Sequence, residues 1–193
     1  MNPFFEFHRE ALDPQIRENV RKTLPMLDEM KDAELREKVI DAWALSLQLN
    51  GWTAIEEMPG SGMPEASAIG DQSMHIKVVM YNALSIYRNL KKAYERDFGL
   101  DEDILMACAA LHDVGKPYEY NRTERPKWVA DDKEYGMPNL RHPSYGVFIC
   151  GVCELPGPVL NVAGYHSPEG RFIKRSAYGE IVHYADDGSW FSL

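Results

Sequence analysis

An all-α fold is predicted for this chain on three observations. Apolar residues recur at helical spacing through several long stretches, and no stretch sustains the strict alternation of a half-buried strand. At 193 residues, with 45% hydrophobic and 26% charged residues, the chain has the composition of an ordinary globular protein able to bury one core.

Taken in order, residues 13 to 30 predict a first helix, with Asp13 as its cap and Pro14 in its first turn, and Pro25 kinks or splits it. The second runs from Asp32 to Asn50: Leu35, Val39, Ile40, Trp43 and Leu47 share one face, and Gly51 ends it. The stretch EMPGSGMPEASAIGDQS is a loop rich in glycine, proline and serine. Further helices are expected over about 73–96, 101–113, 143–154, 157–166 and 176–188, with Gly115 turning the chain after the second of these. Residues 117 to 141 form a long polar and aromatic connection, a lid or wall over a site or simply packing against the bundle.

The net charge of −9 argues against broad nucleic-acid binding, which needs basic surface to neutralise phosphates, but leaves room for a small anionic substrate held by a few cations. No apolar run approaches the roughly 20 residues of a membrane helix. The opening MNPFFEFHRE is too short and too charged for a secretory signal, so a cytoplasmic location is expected. Cys108, Cys150 and Cys153 make no even disulfide set; the C-x-x-C of the last two lies in an apolar helical pattern, and core packing is the expectation for all three.

Five of the six histidines lie beyond residue 74, and each of four stands where an apolar helical face begins or ends. His75 opens a long helix. His112 and Asp113 close the face defined by Ile104, Cys108 and Leu111. His142 precedes Pro143 at the mouth of a helix, and His166 ends PVLNVAGYH. Asp186 follows the buried-looking Ile181 and Val182 on the last helix. Imidazole and carboxylate together suit first-row divalent metals, and the two oxygens of Asp113 could bridge two ions.

The ordered set His75, His112-Asp113, Asp186 resembles the HD superfamily of metal-dependent phosphohydrolases. CAALHDVGKPYEY is similar to that family's central helix in its HD-x-G-K variant, and RHPSYGVFI and GEIVHYADD to its later helices. The resemblance covers roughly residues 72 to 190. It implies an HD-domain helical bundle at 71–193 with residues 1–70 as a helical extension packed on it. It further implies one metal held by His75, His112, Asp113 and Asp186, and a second, held with His142 and His166, with Asp113 bridging. Asp186 is preferred to Asp187 from the alanine-aspartate pattern of YADD. His183 would support Asp186 from one turn away, and His8 falls outside the constellation.

Lys116, beside the metals, would neutralise a substrate phosphate; Arg141, Arg171, Lys174 and Arg175 are further candidates for anion contact, and Glu169 for orienting water or substrate. Asp113 and Lys116 are the expected catalytic residues. The implied function is hydrolysis of a small phosphorylated or nucleotide-like metabolite by water activated on one or two divalent ions of iron, manganese, nickel, cobalt or zinc. One alternative is O₂ activation at two irons, as in HD-fold proteins similar to myo-inositol oxygenase; another is a non-catalytic metal-containing sensor. After His166 the chain reads SPEGRF, without the second histidine and G-Y-P run of HD-GYP phosphodiesterases, which speaks against cyclic-di-GMP. The amphipathic 32–50 helix could pack within the chain or across a dimer, so a homo-oligomer stays open.

Overall fold

The computed structural model describes residues 7–60 and 70–191, so the middle of the expected glycine-rich loop, residues 61–69, lies outside the described residues. Among the described residues every regular element is helical, apart from one isolated bridge between Pro59 and Asp71. The α-helices are α1 (Pro14–Thr23), α2 (Ala33–Leu49), α3 (Gln72–Ala93), α4 (Glu102–Leu111), the short α5 (Lys116–Glu119), α6 (Arg125–Ala130) and α7 (Asp132–Tyr135), then α8 (His142–Val152), α9 (Gly157–Tyr165) and α10 (Ala177–Phe191). The chain therefore has the all-α fold that its periodicity predicts. No described helix is long and apolar enough to cross a membrane.

Aspartates start the first four α-helices among the described residues for one physical reason. Asp13, Asp32, Asp71 and Asp101 each accept a hydrogen bond from an otherwise orphaned backbone N–H of the first turn, a contact worth about 1 kcal/mol apiece. Pro25 does split the first predicted helix, and residues Pro25–Glu29 continue as a 3₁₀ turn. Gly51 ends α2 at φ +74, a left-handed conformation that glycine adopts without strain. The 117–141 connection is not featureless: α5, α6 and α7 lie within it.

Helix α4 lies at the centre. It packs against α2, α3, α9 and α10, and Leu105 to Leu111 are buried without interruption. Its carboxyl end, which carries the His112-Asp113 pair, would leave carbonyls unpaired in a dry interior. Side chains from α2 and the following turn satisfy them. The Trp43 indole N–H donates to Ala110 O at 2.8 Å, Ser46 Oγ to Val114 O at 2.6 Å, and the Trp52 indole to Pro117 O at 3.0 Å.

The chain turns at residues 112–115 as expected, but Gly115 does so at a φ of −84, ordinary right-handed backbone that any residue adopts, so the turn alone does not explain a glycine. The reason is proximity: a Cβ there would lie 2.0 Å from the carbonyl oxygen of His142 and 2.8 Å from the nitrogen of Gly146. Glycine lets the start of α8 close directly onto the turn after Asp113. The three cysteines are buried and unpaired, as packing residues would be.

Candidate metal centre

Five helices deliver six polar side chains to one buried point. His75 comes from the first turn of α3, His112 and Asp113 from just beyond α4, His142 from the first position of α8, His166 from the end of α9 and Asp186 from α10. All six are buried. They divide into two groups whose ligand atoms converge, His75 with His112 and Asp186, and Asp113 with His142 and His166.

Asp113 stands between the groups. Its Oδ2 is 3.4 Å from His75 Nε2 and 3.6 Å from His112 Nε2, whereas its Oδ1 is 3.2 Å from His142 Nε2 and 3.6 Å from His166 Nε2. Asp186 Oδ1 lies 3.2 Å from His75 Nε2 and 3.9 Å from His112 Nε2. Ligands at roughly 2.0 to 2.2 Å from a divalent ion are separated from one another by roughly 2.8 to 3.6 Å, so most of these spacings match a shared ion.

The Nδ1 atom of each histidine has a partner outside the cluster. His112 Nδ1 donates to Ala109 O at 2.7 Å and His166 Nδ1 to Val162 O at 3.0 Å. His142 Nδ1 faces Glu119 Oε2 at 2.6 Å. Ser189 Oγ gives its proton to Asp186 O, so at 3.0 Å it accepts from His75 Nδ1. Each neutral ring thus spends its N–H outside the cluster and turns an Nε2 lone pair inward. His75 Nε2 and His112 Nε2 then face one another at 3.1 Å, two lone pairs beside two carboxylates. Such a centre calls for cations, and its residues fit divalent metals.

Burial and the neighbouring charges pull these groups in opposite directions. Burial would raise the Asp113 carboxyl, but Lys116 and the surrounding imidazoles outweigh it and hold the group well below the usual carboxylate range. Asp186 is lowered likewise, with His75 and His112 outweighing burial. Burial pushes His112 down to about 4, and burial together with Lys116 also lowers His142. His75 and His166 are also buried, yet their carboxylate neighbours raise them. Lys116 Nζ lies 3.9 Å from Asp113 Oδ2, and despite burial Asp113 keeps it a cation.

Other candidates are placed as follows. Arg141 is held between two carboxylates, Glu119 at 3.0 Å and Glu169 at 3.1 Å; Glu169 also accepts from Ser167. Arg171 and Lys174 are exposed. Arg171 lines a cavity of about 320 Å³ with Pro168, Arg175, His183 and Asp187, none of them in the cluster. Arg175 is engaged by the carbonyls of Tyr165 and Ser167. His183 pairs with Asp187 at 3.7 Å, while Asp186 carries the buried carboxylate; His8 is exposed. Two residues escaped the sequence reading. Gln72 is fully buried, donates from Nε2 to Asp113 Oδ2 at 2.8 Å and leaves its Oε1 without a partner. Its i, i+3 spacing from His75 was the available signal. Glu119, one turn after Lys116, holds His142 through both its backbone N–H and its ring.

The HD domain family model matches residues 73–188. A dihydroneopterin 2',3'-cyclic phosphate phosphodiesterase from Methanocaldococcus jannaschii is 29% identical over 175 residues, covering 87% of this chain and 68% of that protein. No solved structure matches the chain. With the matched span taking in both buried groups and all the helices that carry them, the chain belongs to the HD domain family of metal-dependent phosphohydrolases.

Proposed function

We propose that His75, His112, Asp113, His142, His166 and Asp186 hold two divalent ions, and that the chain hydrolyses a phosphodiester of a small nucleotide-like metabolite, a cyclic phosphate first among the candidates. The observation that carries this reading is the division of Asp113, whose Oδ2 faces one group of imidazoles while its Oδ1 faces the other. The archaeal relative, named for a cyclic phosphodiester, supports the ester class. Imidazole with carboxylate accepts iron, manganese, nickel, cobalt or zinc.

When bound, the ions would supply Lewis acidity to a phosphoryl oxygen and a water of lowered pKa. The chain supplies the rest. Nδ1 anchors on all four histidines fix ring orientation, so the donor atoms need no rearrangement. Lys116, buried and cationic beside Asp113, opposes the negative charge that gathers on the transferred phosphoryl group. Gln72 restrains Asp113 through its amide, and its unpartnered Oε1 offers an acceptor beside the centre. In the net reaction the oxygen of water bonds to phosphorus and one P–O ester bond breaks. The leaving oxygen takes the proton that water gives up, so no redox partner is required. Arg141 and Arg171 are the further substrate contacts; Arg141 would meet an anion while keeping its two carboxylate partners, and Arg171 would do so from an exposed position.

The test is elemental analysis of protein purified without chelators, beside His142→Ala, followed by turnover of adenosine 2',3'-cyclic phosphate and bis(p-nitrophenyl) phosphate. Two equivalents falling to one, with ester cleavage by the parent, are expected. Lys116→Met should keep both ions and lose about 100-fold or more in kcat. One equivalent unchanged in the variant, or oxygen uptake in place of ester cleavage, overturns the proposal.

A further inference from the structure

The four histidines are anchored at Nδ1 by three different chemistries. His112 and His166 donate to backbone carbonyls, and His75 to a serine hydroxyl. Only His142, among these four, gives its proton to a carboxylate, Glu119 Oε2 at 2.6 Å. The same oxygen accepts from the His142 backbone N–H at 2.7 Å, so ring and main chain are gripped together. Glu119 is itself fixed: Arg141 Nη1 holds its other oxygen at 3.0 Å, and Arg125 Nη1 donates to its carbonyl at 2.9 Å. From Arg141 the chain of contacts continues to Glu169 and on to Ser167, the neighbour of His166. A partly buried run of ion pairs therefore flanks the Asp113, His142 and His166 group, whereas the Nδ1 of His112 and of His75 rest on a carbonyl and a hydroxyl.

A carboxylate behind an imidazole does two things that a carbonyl does less well. It fixes the ring with Nε2 deprotonated, and its charge makes that Nε2 a stronger electron donor. We infer that Glu119 is the positioning residue of the second ion site, setting the affinity of the Asp113, His142 and His166 group while leaving the His75, His112 and Asp186 group untouched. The inference rests on the two-ion reading above and deepens it: the two sites are made unequal by what stands behind their ligands.

The experiment titrates manganese(II), and separately zinc(II), into metal-free parent and Glu119→Gln by calorimetry, with His142→Ala identifying which binding event belongs to the second site. The amide keeps the shape and an acceptor oxygen but loses the charge. The expected result is a 10- to 100-fold weakening of the event that His142→Ala abolishes, with the other event within about twofold of the parent. Two unchanged events in Glu119→Gln overturn the inference alone, as do two events weakened equally, the pattern of a merely structural role. A parent that binds at most one ion overturns the two-ion reading and this inference with it. Should Glu119→Gln fail to fold, the metal-free parent decides by long-range ¹H–¹⁵N correlation of its imidazoles. A proton on His142 Nδ1 supports the role of Glu119, and a proton on Nε2 overturns it.

Discussion

Gly115→Ala is a small substitution with a large expected effect. The added Cβ would sit 2.0 Å from His142 O and 2.8 Å from both His142 C and Gly146 N. These are backbone atoms, so no rotamer can yield; to restore even 3.0 Å the start of α8 must retreat by about 1 Å. Strain of this kind costs about 1–3 kcal/mol. The retreat also draws His142 Nε2 away from Asp113 Oδ1, now 3.2 Å distant. A misplacement of about 1 Å in a catalytic constellation costs on the order of 100-fold in rate. Gly151→Ala is the control: it lies near the far end of α8, the helix that Gly115 approaches, nothing stands within 4 Å of its added Cβ, and alanine should gain about 0.5–1 kcal/mol there. Urea unfolding, ion equivalents and ester turnover are measured on both. A Gly115→Ala protein as stable as the parent within about 0.5 kcal/mol, with both ions and full turnover, would refute the close-approach argument.

Trp43→Phe removes the donor to Ala110 O in a fully buried position and should cost about 1–3 kcal/mol in urea unfolding; a change under 0.5 kcal/mol would mean that carbonyl finds another partner. Stripping the protein with chelator should lower Tm and manganese should restore it. An ion at 100 times its Kd contributes about 2.7 kcal/mol, or roughly 5–10 °C for a chain of this size, and an unmoved Tm counts against an ion-held centre. For Glu37, partial burial favours the neutral acid, but Arg21 and Arg17 outweigh it and hold the carboxyl below its usual 4.5. A lowered carboxyl contributes stability that is present above that usual value and lost as pH falls through the folded one. Glu37→Gln should therefore lose less stability than the parent on acidification below about pH 4.5; parallel acid limbs would show that the pairs contribute nothing.

Much of the fold is legible because helical periodicity and caps are local. Asp13 and Pro14 mark the start of α1, and the stripe Leu35, Val39, Ile40, Trp43, Leu47 lies in the core as its spacing implies. The six candidate ligands were legible because each ends or opens an apolar face, and the structure gathers those ends at one point. What the sequence does not display is pairing across distance. Nothing near Arg141 announces that Glu119, 22 positions earlier, and Glu169, 28 positions later, will occupy its guanidinium. Nor does the string HDVGK reveal whether its glycine serves a turn or a close approach, because that depends on α8 arriving from about 30 residues away. Gln72 and Glu119 were passed over for the same reason: each acts on a residue already singled out, and its own neighbours in sequence look unremarkable.

The indole and hydroxyl donors that α2 and its following turn send to Ala110, Val114 and Pro117 carry a practical consequence. The span shared with relatives begins at residue 73, yet three acceptors beside the His112-Asp113 pair are satisfied by Trp43, Ser46 and Trp52. Expression trimmed to the shared span would strip those partners and bare the apolar surface that α2 covers on α4. The boundary recognised by homology is thus not a place to cut, and grafting the helices that carry the candidate ligands into another scaffold would mean carrying a stand-in for α2 along with them.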